Sequence, residues 1–122
     1  NIYQPGEGLR QHLDLLRFED GILSVSLESA CTMTFVHVDT KRADVATDHD
    51  DVVGSSGPEG EVDVRLEPGD VLFMHSAARY EWTHGIAARR KDVWEGAEIE
   101  RGRRVSITLR RMCKAGWNLE ED

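Results

Sequence analysis

Residues 104–110, near the end of the sequence, alternate strictly between polar and apolar side chains. Because successive side chains of a β-strand point to opposite faces, this segment is predicted to be a strand with a polar face and an apolar face. In a plain β-sandwich the apolar face would belong to the core and the polar face to solvent. In a jelly roll with a polar cavity, which we favour, Arg104 and Arg110 would line the cavity. Together they could bind a small dicarboxylate through paired, charge-assisted hydrogen bonds.

The remainder of the sequence also favours short strands. The run Ile22–Leu27 alternates apolar and small polar residues, residues 32–38 alternate again, and the connection at 28–31 is short enough for a hairpin. Glycine and proline mark the turns, and residues 87–102 are interpreted as a mostly polar connection. The sequence contains no long stripe of period 3.6. It is therefore predicted to be all-β, with a double-stranded β-helix (jelly roll) and long connecting loops.

The length of 122 residues indicates one domain with a modest core. The sequence begins at Asn1 rather than methionine and is patterned from the start, so we expect sequence to be missing upstream. Residues 39–61 are polar and acidic, and we predict a flexible loop there within the domain. There is no apolar run of membrane-helix length and no signal-peptide pattern, so we expect an intracellular protein of the nucleus or cytoplasm, with no membrane partner.

The charge of the chain limits its partners. A net charge of −8 argues against a dedicated nucleic-acid-binding protein, a class that usually has a basic face. A local basic segment can still bind a polyanion. Here the basic residues are Arg101, Arg103, Arg104, Arg110, Arg111 and Lys114. The two cysteines have no metal-binding spacing, which argues against a zinc site.

A candidate metal site begins with the sequence His-Leu-Asp at 12–14. In an extended segment residues i and i+2 lie on one side, so the His12 imidazole and the Asp14 carboxylate face a common point. A second histidine would complete the two-histidine, one-carboxylate triad of non-haem Fe(II) oxygenases, which leaves positions open for co-substrate and oxygen. His84 is the preferred third ligand because it lies beside a glycine in a predicted strand. His75 is the alternative.

Further motifs surround these residues in a defined order. They are Asn1-x-Tyr3-x-Pro5-Gly6-x-Gly8, His12-x-Asp14, Leu66-x-Pro68-Gly69-Asp70, Ala78-Arg79-Tyr80-x-Trp82-x-His84-Gly85-Ile86 and the strand at 104–110. Their order and spacing cover nearly the whole chain apart from residues 39–61 and the C-terminal tail. The chain thus resembles the catalytic core of the AlkB family of Fe(II)/2-oxoglutarate-dependent dioxygenases, in its eukaryotic form.

The resemblance implies an enzyme that binds Fe(II) and uses 2-oxoglutarate and O2. It implies that His12, Asp14 and His84 are the metal ligands and hence the catalytic residues. 2-Oxoglutarate would bind the iron through its 1-carboxylate and 2-oxo group, and Arg104 would hold its distal carboxylate. The other cofactor contacts that the resemblance implies come from Asn1, Tyr3, Ser106 and Arg110.

The resemblance also implies a reaction, in which 2-oxoglutarate is decarboxylated to succinate while a modified nucleic-acid base, in RNA, tRNA or DNA, is hydroxylated or demethylated. Two alternatives remain open. One is the same chemistry on a protein or lipid substrate, and the other is a non-catalytic binding module of the cupin type. The family's substrate-recognition lid lies upstream of the Asn-x-Tyr strand. We therefore expect residues 1–122 to be a catalytic core that lacks this lid.

Overall fold

The computed structural model of the protein describes residues 1–39 and 60–113. The predicted flexible loop at 39–61 lies outside these ranges except at its ends. In chain order the strands are β1 (Ile2–Tyr3), β2 (Leu9–His12), β3 (Ile22–Leu27), β4 (Cys31–His37), β5 (Glu61–Leu66), β6 (Val71–Met74), β7 (Trp82–Ile86), β8 (Lys91–Trp94), β9 (Ala97–Glu100) and β10 (Arg104–Leu109). A short helix, α1 (Ser76–Tyr80), precedes β7. No helix in the described ranges is both long and apolar enough to cross a bilayer.

The strands form two four-stranded sheets and a separate hairpin. The first sheet has the order β1-β10-β3-β6 and the second has the order β2-β7-β4-β5, while β8 pairs with β9. All pairings are antiparallel, and the chain passes repeatedly from one sheet to the other, which is the arrangement of a jelly roll. The predicted all-β, double-stranded β-helix fold is confirmed.

The predicted hairpin between β3 and β4 is wrong, because these strands belong to different sheets. Leu27, the last residue of β3, pairs with Val105 of β10 in the first sheet. Cys31, the first residue of β4, pairs with Leu66 of β5 in the second sheet. A short connection therefore carries the chain across the molecule rather than back along the same sheet.

Residues 87–102 were also predicted incorrectly as a plain connection. Within them β8 and β9 pair as a hairpin, with Trp94 opposite Ala97. The two turn residues, Glu95 and Gly96, have φ values of 50° and 80°. Positive φ at both central residues is what a type I′ hairpin turn requires.

A buried carboxylate attaches this hairpin to the second sheet. Asp92 of β8 is fully buried and accepts hydrogen bonds from Arg101 at 2.8 and 2.9 Å and from Arg89 at 2.8 Å. The backbone N–H of Thr32 donates to it at 3.2 Å, and Arg65 Nη1 lies 3.8 Å away. Burial opposes ionisation of Asp92, but the hydrogen bonds from Arg101 and Arg89 lower its pKa below the ordinary value. The charged carboxylate thus joins the hairpin to β4 and β5.

The apolar core lies mainly on the inner face of the second sheet. Its buried members are Ile22, Cys31, Met33, Phe35, Leu66, Met74 and Ile86. Five of these seven residues belong to the second sheet. The first sheet supplies Ile22 and Met74, which face each other across β3 and β6.

The first sheet has the opposite polarity. On β10, Arg104 is only 4% exposed and Ser106 is also buried, whereas Ile107 and Leu109 are 48% and 59% exposed. On β3, Ser24 and Ser26 are buried in the same way. The prediction that the arginine face of β10 points inward is confirmed, and the plain-sandwich arrangement is wrong.

The solvent side of the first sheet consequently carries apolar side chains. They form three rows across the paired strands, Ile2–Val105–Leu27, Ile107–Val25–Val71 and Leu109–Leu23–Phe73. We call these nine residues the outer apolar face.

Candidate metal centre

Three potential metal ligands meet between β2 and β7. His12 ends β2 and is directly paired with His84 of β7, so a cross-strand contact brings together residues that are distant in sequence. Their ring centroids are 4.4 Å apart. Asp14 follows β2 and places Oδ1 3.2 Å from His12 Nε2 and 3.7 Å from His84 Nε2. Ligand atoms of all three residues lie within 4.8 Å of one another.

Gly85 allows the two strands to approach this closely. A Cβ atom at this position would lie 2.8 Å from the Leu9 carbonyl oxygen and 2.7 Å from Gln11 Nε2. Contacts to a backbone oxygen at this distance cannot be relieved by rotating a side chain. Glycine after His84 is therefore needed to keep β2, and with it His12, beside β7.

The surroundings of His12 define how its ring is oriented. His12 Nδ1 lies 2.7 Å from the carbonyl oxygen of Arg10, which can only accept a hydrogen bond. Nδ1 therefore donates to this carbonyl, and Nε2 is the ring nitrogen that faces Asp14 Oδ1 at 3.2 Å. A hydrogen bond from the distal nitrogen to a carbonyl is the usual way in which proteins orient a metal-binding histidine.

His84 is kept neutral by its environment. Burial, together with the nearby His12, lowers the pKa of His84 to about 4, although the Asp14 carboxylate opposes the change. A neutral imidazole has a lone pair available for a metal at neutral pH and need not lose a proton first.

Arg104 is the main feature of the polar wall opposite this cluster. One Nη donates to Ser26 Oγ at 2.8 Å, and its Nε is buried without a hydrogen-bond partner. Within the described residues no carboxylate forms an ion pair with it. The Tyr3 ring centroid lies 5.5 Å from its guanidinium carbon. A buried, unpaired guanidinium is costly unless an anion completes its hydrogen bonds, so this position favours an anionic ligand.

Arg110 lies at the other end of the same strand face. Its Nε donates to Asp14 Oδ2 at 3.2 Å, so it contacts the carboxylate oxygen that faces away from the two histidines. Arg104 and Arg110 therefore lie at two ends of one pocket, with the three clustered residues at the Arg110 end. The pocket has a volume of about 70 Å³, several times the roughly 10–15 Å³ that one water requires.

All eight predicted site residues line this pocket. They are Asn1, Tyr3, His12, Asp14, His84, Arg104, Ser106 and Arg110. Ser106 is buried, with its hydroxyl 3.1 Å from that of Ser24. The alternative ligand, His75, lies elsewhere: it is exposed and stacks on Phe73 of the outer apolar face at 5.3 Å.

Polar residues outside the predicted site also take part. Ser24 and Thr108 line the pocket, and Ser26 accepts the hydrogen bond from Arg104. All three follow from alternation: Thr108 shares the face of the arginines, and the serines of β3 lie opposite β10. The signal for Ser26 could be used only once β3 and β10 were known to be neighbours.

Comparison with known proteins identifies the class. Residues 1–110 match the family model described as the 2OG-Fe(II) oxygenase superfamily, and this range includes every residue of the pocket. The chain belongs to this superfamily. Its members are dioxygenases that use Fe(II), 2-oxoglutarate and O2.

Individual relatives narrow the class to the AlkB family. The mouse tRNA (carboxymethyluridine(34)-5-O)-methyltransferase ALKBH8 is 33% identical over 97% of this chain and 18% of the relative. The Arabidopsis thaliana alkylated DNA repair protein ALKBH8 homolog is 34% identical over 92% of this chain and 33% of the relative. The mouse alpha-ketoglutarate-dependent dioxygenase alkB homolog 7, mitochondrial, is 26% identical over 88% and 41%. This chain spans less than half the length of each of these relatives.

The residues present fit the cofactors of the family. Two imidazoles and one carboxylate form the donor set that non-haem Fe(II) prefers, and the neutral state of His84 suits ligation. The unpartnered Nε of Arg104 suits a carboxylate at the far end of the pocket.

Proposed function

We propose that this protein hydroxylates or oxidatively demethylates a modified nucleic-acid base, with His12, Asp14 and His84 as the ligands of Fe(II). Arg104 is proposed to bind the distal carboxylate of 2-oxoglutarate. The observation that carries the proposal is the buried guanidinium of Arg104, which has no carboxylate partner in the described part of the chain and shares a pocket with the three-residue cluster.

The chain's own residues contribute binding, orientation and charge. When bound, Fe(II), 2-oxoglutarate and O2 would supply the oxidising chemistry, with O2 as the oxidant, and the protein would position them. His12 is oriented by the Arg10 carbonyl, and the Arg110 guanidinium holds the outer oxygen of Asp14, leaving Oδ1 towards the histidines. Arg104 would hold one carboxylate of the co-substrate, and Tyr3, Asn1 and Ser106 would offer hydrogen-bonding groups in the same pocket.

The nucleic-acid substrate is supported by the names of the relatives. One names tRNA, and another names alkylated DNA repair. A base must leave its stack to reach a buried metal, so single-stranded or flipped-out bases are the proposed substrates. Residues 1–122 are proposed to be the catalytic core, and substrate selection is proposed to depend on an upstream lid. The compartment is proposed to be the nucleus or the cytoplasm.

A second candidate is the same chemistry on a protein side chain or a lipid. The net charge of −8 favours it, because an acidic surface repels a phosphate backbone. The name of the alkB homolog 7 relative specifies a dioxygenase without a nucleic acid.

Two measurements test the proposal. Titration with Mn(II), followed by 2-oxoglutarate, under anaerobic conditions measures both affinities by calorimetry. We expect His84→Ala to abolish metal binding and the matched variant His75→Ala to preserve it. Arg104→Met should weaken 2-oxoglutarate binding while Mn(II) still binds, and Arg103→Met, at an exposed arginine paired with Glu28, should change neither.

Substrate class is tested by turnover. The chain is incubated with Fe(II), ascorbate, 2-oxoglutarate and oxygen, together with pools of methylated tRNA, single-stranded DNA or peptides, and products are read by mass spectrometry. Loss of a methyl group or gain of one oxygen on a nucleoside supports the proposal. Modification confined to peptides would establish the second candidate. Failure to form succinate under any condition, with normal metal binding, would establish a binding module instead.

A further inference from the structure

Arg79 is a buried arginine next to the metal centre. It lies in α1, only 3% exposed. Its Nη1 donates to the carbonyl oxygen of Asp14 at 3.0 Å, and its Nη2 donates to that of Leu15 at 2.9 Å. Nη2 also lies 3.4 Å from the carbonyl oxygen of Phe18. One side chain therefore reaches three backbone acceptors in the segment that carries a candidate metal ligand.

These partners differ from those of a structural ion pair. Among the described residues no carboxylate pairs with Arg79, whereas Arg101 forms a two-point ion pair with Asp92. The guanidinium of Arg79 instead donates hydrogen bonds to neutral carbonyl groups. Its central carbon lies 4.7 Å from the ring centroid of Tyr80. A buried charge without an ionic partner is costly, and here backbone carbonyl oxygens supply the hydrogen bonds that offset this cost.

The first part of the segment that Arg79 contacts has little other support. Leu15 and Leu16 are 54% and 78% exposed, so apolar packing does not hold them, and the internal backbone hydrogen bond runs from Phe18 N–H to the Leu15 carbonyl. The end of the segment is held separately, because Cys113 N–H donates to the Arg17 carbonyl and Phe18 forms a β-bridge with Met112. Asp14 itself is buried, and it stands beyond the end of β2, where the ladder to β7 no longer fixes it.

We propose that Arg79 is a positioning residue that fixes the main chain of Asp14, so that the carboxylate stays between His12 and His84. The helix that contains Arg79 leads directly into β7, which carries His84. Arg79 thereby connects the segment that precedes His84 to the segment that follows Asp14. Lysine is not equivalent to it, because an ammonium donates from a single atom, whereas the planar guanidinium reaches the Asp14 and Leu15 carbonyls from two separate nitrogens.

This inference rests on the metal ligands of the proposed function. The test measures Mn(II) affinity by calorimetry for the whole 122-residue chain carrying Arg79→Lys or Arg79→Ala. The matched control is Arg111→Lys, at an exposed arginine whose carbonyl accepts from Glu19 at the end of the same segment. Outer residues that orient ligands typically change metal affinity by 10–100-fold, so we expect weakening of roughly that size for both Arg79 variants and none for the control.

Chemical rescue separates positioning from general folding. Arg79→Ala leaves a space that free guanidinium fits, so millimolar guanidinium is expected to restore Mn(II) affinity, whereas the same concentration of methylammonium should not. If Arg79→Ala does not fold, Arg79→Lys, assayed well below its melting temperature, supplies the result. Unchanged affinity in Arg79→Lys, with binding lost in His84→Ala, would overturn this inference and leave the proposed function intact. If His84→Ala also binds Mn(II) normally, both fail.

Discussion

The inner face of the second sheet carries Met33, Phe35 and Ile86, whereas the inner face of the first sheet carries Ser24, Ser106 and Arg104. The outer faces are reversed to match. Thr34, Gln11 and Thr83 form hydrogen bonds across the outside of the second sheet, while the outside of the first sheet carries apolar rows. The two sheets enclose one interior but contribute different chemistry to it.

This difference separates stability from ligand binding. The second sheet supplies five of the seven buried apolar residues, and burial of apolar groups is the dominant favourable contribution to folding. Over much of its inner face the first sheet buries hydroxyl groups and a guanidinium in place of apolar side chains. The second sheet also becomes polar at the paired residues His12 and His84, which both face the pocket.

The largest expected effect is on the core of the second sheet. Phe35→Ala should lower the free energy of unfolding by about 3–5 kcal/mol, because it removes a buried ring and leaves a cavity. Urea denaturation followed by circular dichroism measures the change. A loss under 1 kcal/mol would mean that the second sheet does not carry the core.

The next effect concerns His84 and pH. In the folded chain the pKa of His84 is about 4, against an ordinary value of 6.5. Between these two pH values His84 is protonated in the unfolded chain but neutral in the folded chain. The free energy of unfolding should therefore have its full value above pH 6.5 and fall by roughly 3 kcal/mol as the pH drops to 4. Denaturation of the metal-free chain across this range measures it. His84→Asn should flatten the dependence, and His75→Asn should leave it; equal slopes in both variants would refute the assignment.

Arg104 is expected to show the contrast between the sheets directly. Replacing it with methionine should weaken 2-oxoglutarate binding by about 1.5–3 kcal/mol, the range for hydrogen bonds to charged groups. The same change should leave the free energy of unfolding equal or slightly higher, because it removes a buried unpaired charge. Calorimetry and urea denaturation measure the two quantities. A marked loss of stability with unchanged binding would reverse the roles assigned to this wall.

The smallest effect is expected on the outer apolar face. Phe73→Ala, at a position 57% exposed, should change the free energy of unfolding by less than about 1 kcal/mol, although the substitution is chemically the same as Phe35→Ala at 7% exposure. Urea denaturation of the two variants side by side provides the comparison. Similar losses for both would show that the outer face is covered when the chain is folded.

Local patterns predicted much of this structure. The alternation in 104–110 gave the strand and the inward arginine face, and the bounds of β3 match the predicted run. The His-x-Asp spacing placed two of the three clustered residues together, although β2 ends at His12 and Asp14 lies just beyond it. These successes share one cause: alternation and i, i+2 geometry depend only on neighbouring residues.

Non-local features were not accessible in the same way. The assignment of β3 and β4 to different sheets depends on pairings with β10 and β5, which no property of residues 28–31 specifies. Similarly, Asp92 in β8 is a charged residue in a polar segment, and its burial makes sense only once arginines from other segments surround it. The Glu-Gly pair at 95–96 was a usable turn signal that the polar composition of its surroundings obscured.

The carboxylate of Asp92 also limits how sequences of this fold can diverge. Removing Asp92 alone leaves Arg101 and Arg65 without their shared carboxylate partner at a buried site. Removing Arg101 alone leaves a buried carboxylate with fewer hydrogen bonds. Breaking such a pair typically costs about 3–5 kcal/mol. An apolar replacement of the whole group could be as stable, yet every single-step route to it passes through a destabilised intermediate. The exposed positions of the same hairpin, Lys91 and Val93, face no such barrier. We therefore expect Asp92 of β8 to be kept among related sequences, while Lys91 and Val93 vary.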